Sequence, residues 1–160
     1  LRDDCTDGAD FEIIGGGIML SIDSLTNGIV IDHIRAGMGH KIFEVLGLDK
    51  MGCTVALIMN VQSKKRGKKD IIKIENVFDI DLTEIGIIDD GVTINIIRDE
   101  KIQEKKYIQL PEVVVGLLKC SNPRCVTSSE RGVVSSFTLV DRELKQYKCD
   151  YCDHFYEMED

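Results

Sequence analysis

The sequence contains no tryptophan, only two prolines and few aromatic residues, which make up 6% of its 160 residues. No apolar run approaches the roughly 20 residues that a membrane-spanning helix needs, so we expect no membrane partner. The first residues lack the basic start and apolar centre of a signal peptide. A hydrophobic content of 43% is nevertheless enough for a packed core. We therefore expect a folded, soluble, cytoplasmic protein.

Positive charge is also scarce, because the formal net charge is -8. This argues against nucleic acid as a partner, since phosphate-driven affinity needs a basic surface. One basic run, residues 64–73, is the exception; its cations are Lys64, Lys65, Arg66, Lys68, Lys69 and Lys73. A solvated hairpin loop is the commoner explanation of such a run. The alternative is a seat for a small anion, such as a nucleotide phosphate.

Sequence motifs for nucleotide hydrolysis are absent as well. There is neither G-x-x-x-x-G-K-[ST] nor G-x-G-x-x-G, and no nucleophile, base and orienting group stand out. Three polar positions interrupt apolar strand patterns instead: the Asp32-His33 pair, Lys73 and Asn95. A surface strand end is the commoner reading of Asp32-His33, but the three would suit one anionic ligand if their strands are neighbours. This combination is typical of a sensor rather than a catalyst.

Of the six cysteines, two lack partners at useful spacing, and we interpret Cys53 as a small core residue. The other four form C-x4-C and C-x2-C pairs separated by 23 residues: Cys120 with Cys125, and Cys149 with Cys152. Closely spaced pairs in a cytoplasmic protein favour a metal over disulfides, and four thiolates suit one structural Zn²⁺ ion. A closed set of four ligands leaves no open position for catalysis, and it makes His154 a bystander.

The periodicity predicts two domains after a tail or extension, residues 1–18, in which Cys5 has no assigned role. Residues 19–111 alternate between strand and helix, with strands at 19–25 and 105–110 and a helix at 37–48. A short second helix is expected within 81–89, where Asp81 or Thr83 could cap it. This order predicts an α+β fold with a ferredoxin-like antiparallel sheet and two helices. Residues 112–160 form a small β-rich zinc-binding domain, whose size predicts that it unfolds without metal.

Several segments, taken together, resemble the regulatory chains of aspartate carbamoyltransferase. They are "GIVIDHI", "GKKDIIKIEN", "TINII", the closing "LP", "CSNPRC" and "CDYC". The resemblance covers residues 19–160 and implies a non-catalytic chain that tunes pyrimidine biosynthesis. It implies an allosteric domain that binds CTP and ATP, with UTP as a further effector, and a zinc domain that docks on the catalytic chain. Regulatory homodimers would then bridge catalytic trimers.

The same resemblance assigns roles residue by residue. The implied nucleotide contacts are Asp32, His33, Lys73 and Asn95, with Lys105 added by an ungapped match after Asn95, and with Ile22, Asp23, Leu25 and Ile71 lining the nucleoside pocket. The implied zinc ligands are Cys120, Cys125, Cys149 and Cys152, and the implied interface residues are Asn122 and Asp153. Two alternatives stay open: a zinc-ribbon nucleic-acid-binding adaptor that uses the basic loop at 64–69, and a small enzyme.

Overall fold

The computed structural model describes residues 23–158, which form two antiparallel sheets and a few short helices. The first sheet and its helices comprise β1 (Gly28–Arg35), α1 (Gly39–Val45), a 3-10 helix (Leu48–Lys50), β2 (Val55–Ser63), β3 (Gly67–Glu75), α2 (Ile85–Ile88), β4 (Thr93–Arg98) and β5 (Lys101–Tyr107). The second comprises β6 (Val113–Val115), α3 (Val126–Ser129), β7 (Ser136–Asp141), β8 (Gln146–Cys149) and β9 (Phe155–Glu157).

The first sheet has the strand order β2-β3-β1-β4-β5. Strand β3 separates β1 from β2, and it runs antiparallel to both, so the connection through α1 crosses over a strand. This is the arrangement of a ferredoxin-like sheet, extended at one edge by the β4–β5 hairpin. The predicted α+β fold class is confirmed.

Several predicted boundaries were wrong. The first strand was expected at 19–25, but 19–22 lie outside the described residues and 23–25 are not in a strand. The first helix is shorter than 37–48 because Gly47, with φ 61°, ends it in the left-handed conformation that glycine favours. The second helix occupies only 85–88 of the expected segment 81–89, and the last strand of this sheet runs 101–107 rather than 105–110.

The core of the first sheet lies on one face only. Its ten buried residues are all aliphatic: Ile29, Ile31, Ile34, Ile42, Leu48, Ile72, Ile74, Ile85, Val92 and Ile94. In β1 and β3 the core side chains alternate with side chains that point to the other face, as strand geometry requires. The opposite face is therefore available for polar groups.

A buried carboxylate, that of Asp70, fixes the start of α1 against this sheet. It is fully buried and accepts hydrogen bonds from the backbone N–H groups of Gly37, Gly39 and Asn60, at 2.8, 3.0 and 2.8 Å. Gly39 has no room for a side chain, because a Cβ there would lie 2.8 Å from Leu57 and 2.9 Å from Asp70. These contacts hold α1 at a fixed distance from β2 and β3.

The second sheet has the order β6-β7-β8-β9, and Phe137 and Tyr147 are fully buried within it. Tyr147 donates a hydrogen bond to the carbonyl of Pro111 at 2.8 Å, and Arg142 donates one to the carbonyl of Leu110 at 3.0 Å. Both bonds reach the segment that joins the two sheets. A further ion pair, between Lys145 and Asp90 at 3.4 Å, connects the second sheet to the turn before β4.

Among residues 23–158, no helix has both the length and the apolar character needed to cross a lipid bilayer.

Candidate functional site

Four cysteine thiols converge at one end of the second sheet. The Sγ atoms of Cys120 and Cys152 are 3.6 Å apart, those of Cys125 and Cys149 are 3.8 Å apart, and all four lie within 4.8 Å of one another. These separations are far too long for disulfides, whose sulfurs are about 2.0 Å apart. They are close to the ~3.8 Å expected between thiolates arranged tetrahedrally around zinc at about 2.3 Å. The cluster therefore fits one metal ion such as zinc.

Backbone hydrogen bonds shape the two loops that carry these thiols. In the first loop, the Cys125 N–H donates to the Asn122 carbonyl at 3.1 Å, and Ser128 Oγ donates to the Cys120 carbonyl at 3.1 Å. In the second, the Cys149 N–H donates to the His154 carbonyl at 2.9 Å. His154 thus helps to shape the loop through its backbone, and its side chain is not among the clustered ligand atoms.

The thiols lie in contrasting electrostatic surroundings. Burial raises the pKa of the Cys120 thiol to about 12, and it also raises the pKa of Cys149. The Thr127 hydroxyl, 3.1 Å from the sulfur of Cys125, lowers the pKa of that thiol to about 7. A divalent cation favours the thiolate form of every ligand and would offset the cost of burying these groups. A four-thiol set of this kind supplies structure and leaves no open position for substrate.

A second cluster of polar side chains lies on the solvent-facing side of the first sheet. Lys73 is in register with Val30, Val30 with Asn95, and Asn95 with Lys105. Residues directly opposite each other in adjacent strands project to the same face, so this row places Lys73, Asn95 and Lys105 on one surface. Asp32, two residues beyond Val30 and opposite Thr93, faces the same way. We call this surface the polar face.

A bulge in β1 brings His33 to the polar face as well. Strict alternation would direct His33 towards the core, but the register of β1 shifts between Ile31 and Ile34, and His33 has φ 60°. Its Nδ1 atom lies 2.9 Å from the Thr93 hydroxyl oxygen and 3.5 Å from an Asp32 carboxylate oxygen. Burial lowers the pKa of His33, and the Asp32 carboxylate acts in the opposite direction.

Lys69 belongs to this site although the sequence alone gave it no separate role. It is only 7% exposed, and its ammonium lies 2.9 and 3.2 Å from the two carboxylate oxygens of Asp32. The two charges are buried together, which is favourable only because they are paired. The sequence signal that could have found Lys69 is its strand alternation with Ile71 and Lys73, which places all three on one face.

The amide of Asn95 has a buried oxygen, Oδ1, that lacks a hydrogen-bond partner among the described residues. Leaving such a group unpaired costs about 1–3 kcal/mol, so a ligand that donates to it would be bound favourably. Nearby, Lys73 donates a hydrogen bond to the Asp23 carbonyl at 3.1 Å. Leu25 packs close to Gly28, since a Cβ at position 28 would lie 3.0 Å from Leu25 Cδ2. Ile71 is half-buried on the same strand face. Ile22 lies outside the described residues.

A cavity of about 250 Å³ opens at the Thr93 end of the polar face. Its lining residues are His33, Lys65, Arg66, Asp90, Gly91, Val92, Thr93, Lys105 and Tyr107. The cavity holds three permanent cations against one carboxylate, in a chain whose formal charge is -8. It is therefore suited to an anion.

The two predicted interface residues lie in the cysteine loops. Asn122 accepts a hydrogen bond from the Arg124 N–H at 3.0 Å through its side chain, and it is half-buried. Asp153 has φ 59°, and its exposed carboxylate pairs with Lys148 at 3.1 Å. Both residues shape the loops, and their contact with another chain stays a prediction. Cys53, packed against the aliphatic core, is remote in sequence from the cluster and does not belong to it.

Comparison with known families gives two consecutive matches along the chain. Residues 20–109 match the allosteric domain of the aspartate carbamoyltransferase regulatory chain, and residues 112–160 match its metal binding domain. The first match contains the polar face, and the second contains the four-cysteine cluster.

Individual relatives bear the same description, "Aspartate carbamoyltransferase regulatory chain". One from Clostridium acetobutylicum is 55% identical over 139 residues, covering 87% of this chain and 95% of its own length. One from Clostridium botulinum is 53% identical over 138 residues, covering 86% and 94%. One from Bifidobacterium longum is 48% identical over 134 residues, covering 84% and 96%. The chain therefore belongs to the family of aspartate carbamoyltransferase regulatory chains, and it is a regulatory, non-catalytic subunit.

Proposed function

We propose that the polar face binds a nucleotide effector, CTP or ATP with UTP as a further candidate, and so regulates an aspartate carbamoyltransferase catalytic chain in the cytoplasm. The observation that carries this proposal is the cross-strand row of Lys73, Asn95 and Lys105. Three separate strands present these residues on one face. A nucleotide supplies the hydrogen-bond donors and negative charges that such a surface would recognise.

Each residue has a distinct chemical task in this proposal. The unpaired Oδ1 of Asn95 accepts a hydrogen bond from an exocyclic amino group, which both cytosine and adenine carry. Asp32, held by Lys69, accepts a ribose hydroxyl. Lys73, His33 and Lys105 supply positive charge for the phosphates, while Asp23, Leu25 and Ile71 border the nucleoside. Opposite effects of two nucleotides then require that each one prefers a different conformational state of the assembly.

Calorimetric titration of the full chain with CTP and ATP tests the pocket. We expect Lys73→Ala to weaken binding about ten-fold or more, because a charge-assisted hydrogen bond contributes about 1.5–3 kcal/mol. The matched control is Lys106→Ala, which removes an exposed lysine that pairs with Glu104 at 3.6 Å and points away from the polar face. Equal affinity in Lys73→Ala and the wild type would refute the pocket.

We propose further that residues 112–160 form the domain that docks on the catalytic chain, and that a regulatory homodimer bridges catalytic trimers. The pair of loops that carries the four thiols supports this role, because it holds the half-buried Asn122 and the exposed Asp153 beside the cluster. The metal we assign is one Zn²⁺ ion per chain. Elemental analysis of the chain, and co-purification with a catalytic chain, test the two statements separately.

The docking loops can be tested without unfolding the domain. Asp153→Asn removes the charge but keeps a residue that tolerates φ 59°, whereas Asp153→Ala adds backbone strain. If the charge itself makes the contact, both variants lose association with the catalytic chain to a similar degree. If only the loop shape matters, Asp153→Asn associates normally and the assigned charge contact is wrong.

A further inference from the structure

The basic run at 64–73 is not one continuous surface in the folded chain. Lys69 is buried against Asp32, and Lys73 lies on the polar face, whereas Lys65 and Arg66 line the cavity at the Thr93 end of that face. Lys64 and Lys68 belong to the same hairpin but do not line the cavity. Residues 64–66 form the tip of the β2–β3 hairpin, closed by the pairing of Ser63 with Gly67. The tip therefore directs two of its three cations to one place.

The position of this cavity relative to Asn95 suggests which part of a ligand it would hold. Thr93 is two residues from Asn95 along β4, which corresponds to about 7 Å in a strand. A nucleotide whose base contacts Asn95 would extend its phosphate chain along this direction, past Lys105 and His33 and towards the hairpin tip. The cavity, at about 250 Å³, is smaller than the roughly 300–1,000 Å³ typical of sites for whole small molecules. It is suited to one end of a ligand.

The electrostatics of the cavity agree with this direction. Lys69, Lys65 and Lys105 each lower the pKa of His33, although burial lowers it more, so Lys65 and Lys105 are both within electrostatic range of that ring. Asp90 is the one carboxylate in the lining, and its ion pair with Lys145 at 3.4 Å offsets part of its repulsion of an anion. No salt bridge joins Lys65 to a carboxylate within residues 23–158.

Two contacts position the Arg66 side chain beside this cavity. Its guanidinium lies 3.7 Å from the buried carboxylate of Asp89, and it covers Gly91 so closely that any side chain at position 91 would collide with it. The Arg66 side chain is still 37% exposed, so its remaining N–H groups are accessible to a ligand. A guanidinium oriented by one carboxylate keeps donors for a phosphate at little further cost in side-chain entropy.

We propose that Lys65 and Arg66 contact the phosphate furthest from the nucleoside, and that they make this site selective for nucleoside triphosphates over monophosphates. This inference rests on the proposed nucleotide function. The hairpin tip then acts as a specificity element that measures phosphate chain length, while Asn95, Asp32 and Lys73 bind the part that all the phosphorylated forms share.

The test compares CTP, CDP and CMP by calorimetry on the full chain, in magnesium-free buffer at constant pH and ionic strength. In Lys65→Gln we expect CTP affinity to fall about ten-fold while CMP affinity changes by less than about two-fold. Arg66→Gln should show the same pattern. Lys64→Gln is the matched control, since it removes an adjacent cation that does not line the cavity, and it should leave the CTP to CMP ratio unchanged.

The outcomes separate this inference from the function on which it rests. If CTP and CMP lose affinity by the same factor in Lys65→Gln, or if CTP affinity does not change, the hairpin tip does not measure phosphate number and the inference is overturned, while nucleotide binding stands. If the wild type binds none of the three nucleotides, the proposed function fails and takes the inference with it. Inorganic tripolyphosphate should compete with CTP in the wild type and compete less well in Lys65→Gln.

Discussion

The two sheets of this chain reach stability by different means. The first packs ten buried aliphatic residues against its inner face, whereas the buried core of the second has seven residues, of which three are cysteines of the thiol cluster. The first sheet is thus stabilised by burying aliphatic side chains. The second depends on thiols that are held together by a shared bound cation. This contrast teaches that the first can carry buried charges on its outer face, since its stability does not depend on that face.

Removing the metal is the strongest test of this contrast. Chelation, or Cys149→Ala, should unfold residues 112–158 and leave the first sheet folded, because structural zinc contributes about 10–16 kcal/mol and a whole domain is stable by only about 5–15 kcal/mol. Backbone amide NMR spectra would show loss of dispersion for the second sheet alone. Cys53→Ala, which alters a thiol outside the cluster, should leave both sets of signals dispersed. Dispersed second-sheet signals in metal-free chain would contradict the comparison.

The first sheet has its own weak point, the buried carboxylate of Asp70. Asp70→Ala leaves three backbone N–H groups without an acceptor, and we expect the free energy of unfolding of the first sheet to fall by about 3–5 kcal/mol. Urea unfolding, followed by the amide signals of each sheet, measures the loss. Asp79→Ala removes an exposed carboxylate in the segment after β3 and should have little effect. A loss confined to the second sheet would reverse the assignment.

The junction between the sheets offers a smaller and sharper test. Tyr147→Phe removes the hydrogen bond to the Pro111 carbonyl while keeping the buried ring, so we expect a loss of about 1 kcal/mol in the stability of the metal-bound second sheet. Tyr151→Phe, at a ring that is 52% exposed, is the control and should be neutral. Thermal unfolding of the metal-bound chain distinguishes them. Identical melting of the two variants would mean that the junction bond adds nothing.

The smallest expected effect concerns pH. Burial lowers the pKa of His33 in the folded chain below its usual value near 6.5, so the unfolded chain binds this proton more tightly. The free energy of unfolding therefore carries no penalty from His33 above about pH 6.5, and it falls as the pH drops from there through the folded-state pKa of His33. His33→Gln should flatten this part of the stability curve of the first sheet, whereas His40→Gln, at an exposed position in α1, should not. A wild-type curve that rises with acidification over this window would have the opposite sign to that expected.

Much of the fold follows from local sequence. Alternating isoleucines predict β1, β3 and β4, and two cysteine pairs in a segment too small for a large core predict a metal-stabilised domain. The errors have local causes as well. Asp81 or Thr83 was expected to cap the second helix, yet the Asp81 carboxylate accepts the Thr83 N–H at 3.0 Å in a turn, and the helix begins only at Ile85. Capping residues and turn residues use the same side-chain bonds, so the sequence does not separate them.

The candidate site was less predictable than the fold for a tertiary reason. No local pattern announces a left-handed histidine inside a strand, because that conformation is uncommon for residues other than glycine and is imposed here by the surrounding sheet. The bulge at His33 therefore could not be foreseen. Likewise, strand alternation assigns Lys69 and Lys73 to one face, but it does not show which cation of the run is buried. Only the folded hairpin shows that Lys69 is buried while Lys65 lines a cavity.

The position of Tyr147, two residues before Cys149 on β8, has a consequence for the protein in its cell. The same strand carries a thiol of the cluster and the hydroxyl that fastens the Pro111 carbonyl. A shortage of metal would thus free not only the cysteine loops but also the segment that joins the sheets. In such a chain the first sheet would stay folded while residues 112–158 were unfolded and exposed, and unfolded segments are preferred substrates for proteases. Metal supply would then set how many regulatory chains survive to assemble.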